Sequence, residues 1–346
     1  MTTSANINSN ACLNLDDYLY AMQQRNLVYN SDFRYYSNKV YNGDVVEYGI
    51  PDGWLYDDPG KNGKIGFDTA VNACLINKSD DSKLMRFSQA LHEFPRWANT
   101  LKEETVTAKV FLNISTANDV SVTLSDGIDS TTITKKGPGD FEIDVRQKIN
   151  KGAKYVLLSI ECSAPFVTIK ITSVCANVGV VAINSLPCIV EGIIGERKQY
   201  ISTESPPAEE LSLCNKAEEL GENYTRLDSV INRRFGAGAN KRSLLPDMRG
   251  YFSRAWNNGS SIDPDAANRT PLGQGTIKGD HVSSVENDEF LKHDHPLNFS
   301  SDKPILTGKE GSATTINTAN TSNTKQVGGK ETRPKNLAEL YTIKWA

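Results

Sequence analysis

Two histidines, His293 and His295, stand one residue apart in Lys292-His293-Asp294-His295. In extended backbone, residues i and i+2 point the same way, so three copies of the chain around a threefold axis would aim six imidazoles at one ion. Six nitrogen ligands favour an octahedral transition metal such as iron over tetrahedral zinc. The alternative is a pair of exposed histidines that bind nothing. A second set is acidic. Asp52, Asp57 and Asp58 surround Trp54 and form the one cluster suited to glycoside hydrolysis, which needs two carboxylates roughly 5 to 9.5 Å apart. The third set is aromatic. Eight of the 13 tyrosines precede residue 57, with Phe33 and Trp54 among them. Aromatic faces beside amides and carboxylates hold sugar rings, because the C–H face of the ring packs on the π-system while its hydroxyls take hydrogen bonds. Tyr35, Tyr36, Trp54 and Tyr56 are therefore candidate glycan contacts; filling a core or an interface is the other use of such residues.

Other constellations fail on their spacing. The run from Gly236 to Lys241 lacks the Gly before Lys and the Ser/Thr after it that a phosphate loop needs, and it comes after a helical pattern instead of opening one. Asp263-Pro264-Asp265 offers calcium fewer than about six oxygens. No Gly-x-Ser-x-Gly elbow or His-Glu-x-x-His is present, and His92-Glu93 is isolated and reads as structural. The six cysteines show no CxxC spacing, which argues against a zinc ribbon or a redox motif. Four lie in apolar surroundings, where a free thiol behaves as a small core residue, as expected for a product of the cytosol.

The elements that must position these groups are mostly strands. With 346 residues, 38% hydrophobic and 23% charged, there is room for roughly two or three domains. A net charge of −4 and the lack of any Lys/Arg stripe give no support to nucleic-acid binding. The N-terminus has neither a basic nor an apolar signal region. The longest apolar tract, Val178 to Val190, is broken by Asn184 and Pro187 and is too short to cross a bilayer. A soluble protein with no membrane insertion is expected.

Residues 1–25 form a terminal segment in which Leu13 to Arg25 predicts a short helix, with Leu15, Leu19 and Met22 on it. It suits docking onto another protein, or packs loosely as a frayed end. Residues 26–176 alternate in short runs: Val106 to Leu112, Val120 to Leu124, Phe141 to Val145, Tyr155 to Ile160 and Val167 to Ile171, with turns at Asn42-Gly43, Pro51-Asp52-Gly53 and Asp126-Gly127. That pattern predicts a β-sandwich with almost no helix. Residues 177–256 open with two predicted strands around Pro187, pass a Ser-Pro-Pro-Ala loop, and reach a predicted helix from Lys216 to Arg234. Leu220, Tyr224, Leu227 and Ile231 share one face of it, and Phe235-Gly236 stops it. From Leu244 to His295 the chain is crowded with Gly and Pro, which exclude any long helix. It nevertheless carries Leu245, Met248, Tyr251, Phe252, Trp256 and Phe290, too much apolar surface for a linker; another chain is expected to complete it.

Two resemblances emerge in these stretches. NLVYNSDFRYY and then GIPDGW resembles the opening of the galactose-binding-like jelly-roll modules, a carbohydrate-binding class in which some members bind no sugar. Farther on, Leu213-Cys214-Asn215, then Tyr224, then Phe235-Gly236-Ala237-Gly238, then Leu245-Pro246-Asp247-Met248-Arg249-Gly250 resembles the phage tail-collar family over residues 192–256. Lys216 stands where that family usually has Gly. The likeness continues through Lys292-His293-Asp294-His295 to Glu331-Thr332-Arg333-Pro334-Lys335-Asn336. Related fibre tips use such His-x-His pairs, often in series.

The resemblance implies a mainly β protein: the sandwich, a small α+β collar (177–256) and an extended, intertwined β-rich tip (257–346). It implies a non-enzymatic, homotrimeric receptor-binding tail fibre or tip of a phage or of a contractile injection particle. Such a protein is made in a bacterial cytoplasm and acts outside on the particle. Its partners would be its own copies, tail or baseplate proteins through residues 1–25, and a host glycan or protein. The Ser/Thr/Asn/Gly-rich run from Asn298 to Lys330 would be the distal contact, or else a plain surface loop. The remaining alternatives are a fibre-borne glycan depolymerase and a purely structural collar component.

Overall fold

The computed structural model describes residues 13–42, 45–47, 49–288 and 336–346. His293, His295 and the run from Asn298 to Lys330 lie outside them.

Alternation of apolar and polar residues builds two facing five-stranded antiparallel sheets. One runs β10 (Gly139–Lys148), β7 (Thr105–Ile114), β12 (Thr168–Val178), β5 (Ala73–Asn77) and β4 (Lys64–Asp68). The other runs β3 (Leu55–Asp57), β6 (Met85–Ala90), β11 (Leu157–Cys162), β8 (Asp119–Ser125) and β9 (Ser130–Lys136). A hairpin of β1 (Val40–Asn42) and β2 (Val45–Glu47) stands apart. Because the side-chain period of a strand is two, Val106, Ala108, Val110, Leu112 and Ile114 of β7 all turn inward, as do Val120, Val122 and Leu124 of β8. A sandwich over residues 26–176 is thus legible in the sequence. The expected scarcity of helix there also holds, the exception being the one-turn α2 (Trp97–Leu101).

The core of the sandwich is capped by aromatics from its N-terminal stretch. Trp54 stacks on Phe87 at 4.5 Å with the planes 6° apart, and Phe33 leans on Trp54 at 5.4 Å. All three are fully buried. Burying a Phe side chain contributes roughly 1.5–3 kcal/mol, so this corner is a major source of sandwich stability.

A second, smaller unit packs beneath. Its sheet runs β13 (Arg197–Tyr200), β17 (Leu340–Lys344), β14 (Glu210–Ser212). Leu213, Leu220, Leu227, Ile231, Val190, Ile194 and Ile343 form its core. Here the structure departs from the sequence expectations in three ways. First, the predicted helix from Lys216 to Arg234 shrinks to α3 (Thr225–Ile231). Its first half is held extended instead: Leu220 N–H donates to Ser243 O, Leu245 N–H donates to Glu218 O, and the Glu219 carboxylate accepts the Asn240 and Arg242 N–H groups. Second, no pair of strands flanks Pro187. β12 ends at Val178, and the chain from there to β13 is loop, apart from a bridge between Asn26 and Cys188. Third, β17, which lies in the stretch expected to belong to a separate tip, is the middle strand of this sheet, and Ala346 packs into the sandwich core.

α3 is anchored from outside. Its N-terminal residue Tyr224 supplies no side-chain cap. The Glu93 carboxylate, from the loop after β6, accepts the Thr225 N–H at 2.6 Å and the Arg226 N–H at 2.8 Å. Arg226, wholly buried, donates to Glu93 O at 3.3 Å and to Leu27 O at 2.8 Å. The left-handed Asn232 and Arg233 end the helix.

Residues 250–288 carry a two-residue hairpin, β15 (Thr270–Pro271) with β16 (Ser284–Val285). Ion pairs dominate this stretch. Arg269 bridges Glu286 at 2.8 Å and Asp263 at 3.3 Å, and Arg254 reaches the same two carboxylates. The Asp263 carboxylate is therefore taken by arginines, which leaves no oxygen-rich site for calcium at Asp263-Pro264-Asp265.

α1 (Leu15–Met22) opens with an Asn14–Asp17 capping box. The helix expected between Leu13 and Arg25 is present, yet only Ala21 of it is buried; Leu15 is 71% exposed.

Candidate functional site

The aromatic candidates divide by burial. Trp54 has both faces committed to the core, and Tyr36 is buried with its ring edge-on to Phe67 at 5.5 Å. These two are corrected from glycan contacts to core residues, because the turn at Pro51-Asp52-Gly53 tucks them between the sheets. Tyr56 is half-buried and donates its hydroxyl to Asp58 at 3.0 Å. Tyr35 is half-buried beside a cavity of about 250 Å3 that Asp32, Arg34, Cys188 and Ile193 also line. Its ring is stacked on Tyr29 at 6.0 Å, and the Arg34 guanidinium lies 5.8 Å from its centre. The structure does not bring the four together into one platform.

The acidic candidates are engaged too. Asp52 is buried and accepts the Ser37 N–H at 2.7 Å and its hydroxyl at 2.6 Å. Burial pushes its carboxyl above the usual range, against the lowering effect of those bonds. Asp58 accepts the Ser79 N–H at 2.9 Å together with the Tyr56 hydroxyl. Those bonds and the Gly60 N–H hold it below the usual range, although burial works the other way. Asp57 is exposed and lies opposite Arg86 in the sheet register. A carboxylate saturated by its own backbone holds a loop; it is poorly placed to take a proton from water. The hydrolytic reading of Asp52 and Asp58 thus gives way to a structural one.

The residues of the expected collar motif do converge. Leu213 N–H donates to Tyr341 O at 2.8 Å, and Met248 N–H donates to Leu213 O at 2.8 Å. The Tyr341 N–H lies 3.3 Å from Cys214 Sγ. Tyr224 meets Trp345 edge-on at 5.0 Å. Leu245 packs on the same core and Pro246 is buried. Asp247 and Arg249 form a two-pronged ion pair at 2.9 and 2.6 Å, and Gly250 turns the chain at φ +79°. Asn215 is exposed. Cys74, Cys162, Cys175, Cys188 and Cys214 are free thiols, and burial pushes Cys175 up to about 11.

A site that the sequence reading missed lies on the outer face of the second sheet. The register aligns Ser88, Ser159, Thr123 and Thr132 in one row across β6, β11, β8 and β9. The neighbouring row holds Arg86, Glu161, Ser121 and Thr134. Thr123 and Thr132 hydroxyls are 2.9 Å apart, and those of Ser121 and Thr134 2.8 Å. Glu161 accepts Arg86 Nε at 2.7 Å and the Ser159 hydroxyl at 3.0 Å. At one end these rows run into a groove of about 500 Å3 that Leu84, Asp119, Lys136, Glu161, Ser163 and Ala164 help to line. The signal was present: Ser121, Thr123 and Ser125, then Ser130, Thr132 and Thr134, repeat at the strand period on one face. Aromatic residues drew the eye instead.

Among the described residues, no group of three or more His, Cys, Asp or Glu is placed to hold a metal ion, and no helix is long and apolar enough to cross a membrane.

No family model matches the chain. It is 30% identical over 128 residues to Protein RhiB of Rhizobium leguminosarum bv. viciae, a match covering 35% of this chain and 58% of that protein. Among solved structures it is similar to TmCBM61 in complex with beta-1,4-galactotriose, with a TM-score of 0.32 and 13% identity over 44% of this chain and 97% of that one. It is similar to the enzymatically active domain of tailspike protein 4 of bacteriophage CBA120, with a TM-score of 0.32 and 12% identity over 44% of this chain and 21% of that one. It is also similar to the CBM22-1 xylan-binding domain of Paenibacillus barcinonensis Xyn10C, with a TM-score of 0.31 and 11% identity over 47% of this chain and 96% of that one. The sandwich itself rests on its own strand order and register.

Proposed function

We propose that this chain is a non-enzymatic attachment protein, the receptor-binding fibre or tip of a phage tail or related contractile injection particle, working as a homotrimer on a host surface glycan or protein. The observation that carries the reading is the convergence of the collar residues. Leu213, Cys214, Tyr224, Leu245, Pro246, Asp247, Arg249 and Gly250, spread over nearly forty residues of sequence, are held in one small unit by β17.

Exposed apolar residues support an assembly. Leu15, Leu19 and Met22 on α1, with Phe252, Trp256 and Ile262 farther along, all face outward. Large apolar patches at a surface mark contacts with other chains. In this reading α1 docks on tail or baseplate proteins, and the stretch after Gly250 meets its own copies. His293 and His295 of three copies bind one octahedral metal such as iron. The hydroxyl-lined sheet face serves glycan contact, with trimer avidity raising a weak single-site affinity.

Mass measurement in solution tests the assembly. Three copies are expected, with one metal ion per trimer by elemental analysis and none in the H293A/H295A double variant. A stable monomer would remove the main support. The depolymerase alternative finds no favour in the placement of Asp52 and Asp58; release of reducing ends from host polysaccharide, lost in D57N, would revive it.

A further inference from the structure

The groove on the outer sheet face ends at the loop joining β11 to β12, of which Ser163 and Ala164 line it. Two residues on, Phe166 is held at φ 57° with its side chain in solvent, 69% exposed. Both features are unfavourable. A left-handed backbone costs a residue with a Cβ roughly 1–2 kcal/mol, and an exposed Phe forgoes the benefit of burial. The arrangement is nevertheless fixed. Phe166 N–H donates to Ser79 O at 3.2 Å, Lys78 N–H donates to Val167 O at 2.9 Å, and Val167 is fully buried. The loop is thus pinned on both sides of a ring that serves no core.

We propose that the groove and the Phe166 ring form one binding site for a neutral glycan chain, with the hydroxyl rows contacting sugar hydroxyls and Phe166 stacking on a ring that extends past the groove. This rests on the attachment reading above and names its ligand class. The hydroxyl pairs suit the ligand. In a pair that shares one hydrogen bond, one oxygen keeps its own proton to donate and the other keeps its lone pairs. Thr123 with Thr132 and Ser121 with Thr134 each present both to a vicinal diol. The charges around the groove balance. Asp119 faces Lys136 in the register and Glu161 is paired with Arg86, so no cation is left over to hold an acidic sugar. A volume of about 500 Å3 falls inside the usual range for small-molecule sites, roughly 300–1,000 Å3. A longer chain must leave the groove, and at the β11–β12 end it meets Phe166.

The test is calorimetric titration of the full chain with hexasaccharides: neutral β-1,4-linked gluco-, galacto-, xylo- and mannohexaose, and an acidic galacturonan hexamer. At least one neutral hexamer is expected to bind, and the acidic one to bind at least about tenfold more weakly. Asn tolerates the left-handed region, so F166N keeps the loop and relieves its strain. It is expected to melt no lower than wild type and yet to lose about tenfold in affinity, the size of one aromatic contact. T123V/T132V is expected to weaken binding as well, whereas I128A, at the far end of the same sheet, leaves it unchanged. Affinity within twofold of wild type in F166N overturns the role of Phe166, and preference for the acidic hexamer overturns the ligand class. If the protein still adsorbs to host cells but binds no hexamer, the groove assignment falls and the attachment reading stands. If it does neither, both fall.

Discussion

His92 shows how one side chain can be critical without being catalytic. It is buried after β6, accepts the Val156 N–H at 3.2 Å through Nδ1, and meets Trp97 edge-on at 5.1 Å. Burial lowers its pKa to about 4; the bond to Val156 works against this, and the nearby Arg226 cation adds to it. In the unfolded chain an imidazole titrates near 6.5. Above about pH 6.5 both states are neutral and stability is full. Between there and about pH 4 the unfolded state takes up a proton that the folded state refuses, so stability is lost as pH falls. At 1.36 kcal/mol per unit the loss approaches about 3 kcal/mol. Urea unfolding at several pH values should show H92Q declining less than wild type by about that amount between pH 6.5 and 4. Parallel curves would mean that His92 is already accessible to protons.

At the scale of elements, α3 exposes the limit of reading by period. Leu220, Tyr224, Leu227 and Ile231 do share a helical face in the sequence, and all four line one core, but only the last turns are helix. A pattern of apolar positions records which side is buried; it cannot record that Ser243 and Leu245 would compete for the backbone groups of Leu220 and Glu218. The strands of the sandwich were legible because alternation at period two is repeated in neighbours that bury the same face. The core role of Trp54 and the saturation of Asp52 were not, since both depend on a turn folding back across residues distant in sequence. The Glu93 anchor belongs to the same class. Its carboxylate lies 132 positions from the helix it caps, and burial raises its pKa while Arg226 opposes the shift. Removing one member of a buried charged pair costs about 3 to 5 kcal/mol. E93A should therefore lower unfolding free energy by about that much and abolish hydrogen-exchange protection in Thr225–Ile231. Retained protection there would show that α3 is held by its apolar face alone.

For the whole molecule, the question is what makes two cores behave as one body. Trp345 and Ile189 pack against both clusters, and Ala346 is buried in the first. Trp345 Nε1 donates to Ala208 O at 3.1 Å. Next to them in the chain, β17 is the shared partner of β13 and β14, which do not touch each other. The last strand in sequence is thus the hinge pin of the smaller unit and part of the floor of the larger. Deleting residues 340–346 removes every ladder bond of β13 and β14 while leaving both sandwich sheets complete. Wild type should unfold in one cooperative transition. The deletion variant should lose hydrogen-exchange protection in Arg197–Tyr200 and Glu210–Ser212 but keep it in β7 and β12, and should melt at a lower temperature because the sandwich core has lost its cover. The collar residues Leu213, Cys214 and Leu245 would lose their common support, so the proposed trimer should dissociate in the same variant. Protection persisting in β13 and β14 would mean that another strand takes the place of β17, and a trimer surviving the deletion would place its contacts outside the collar.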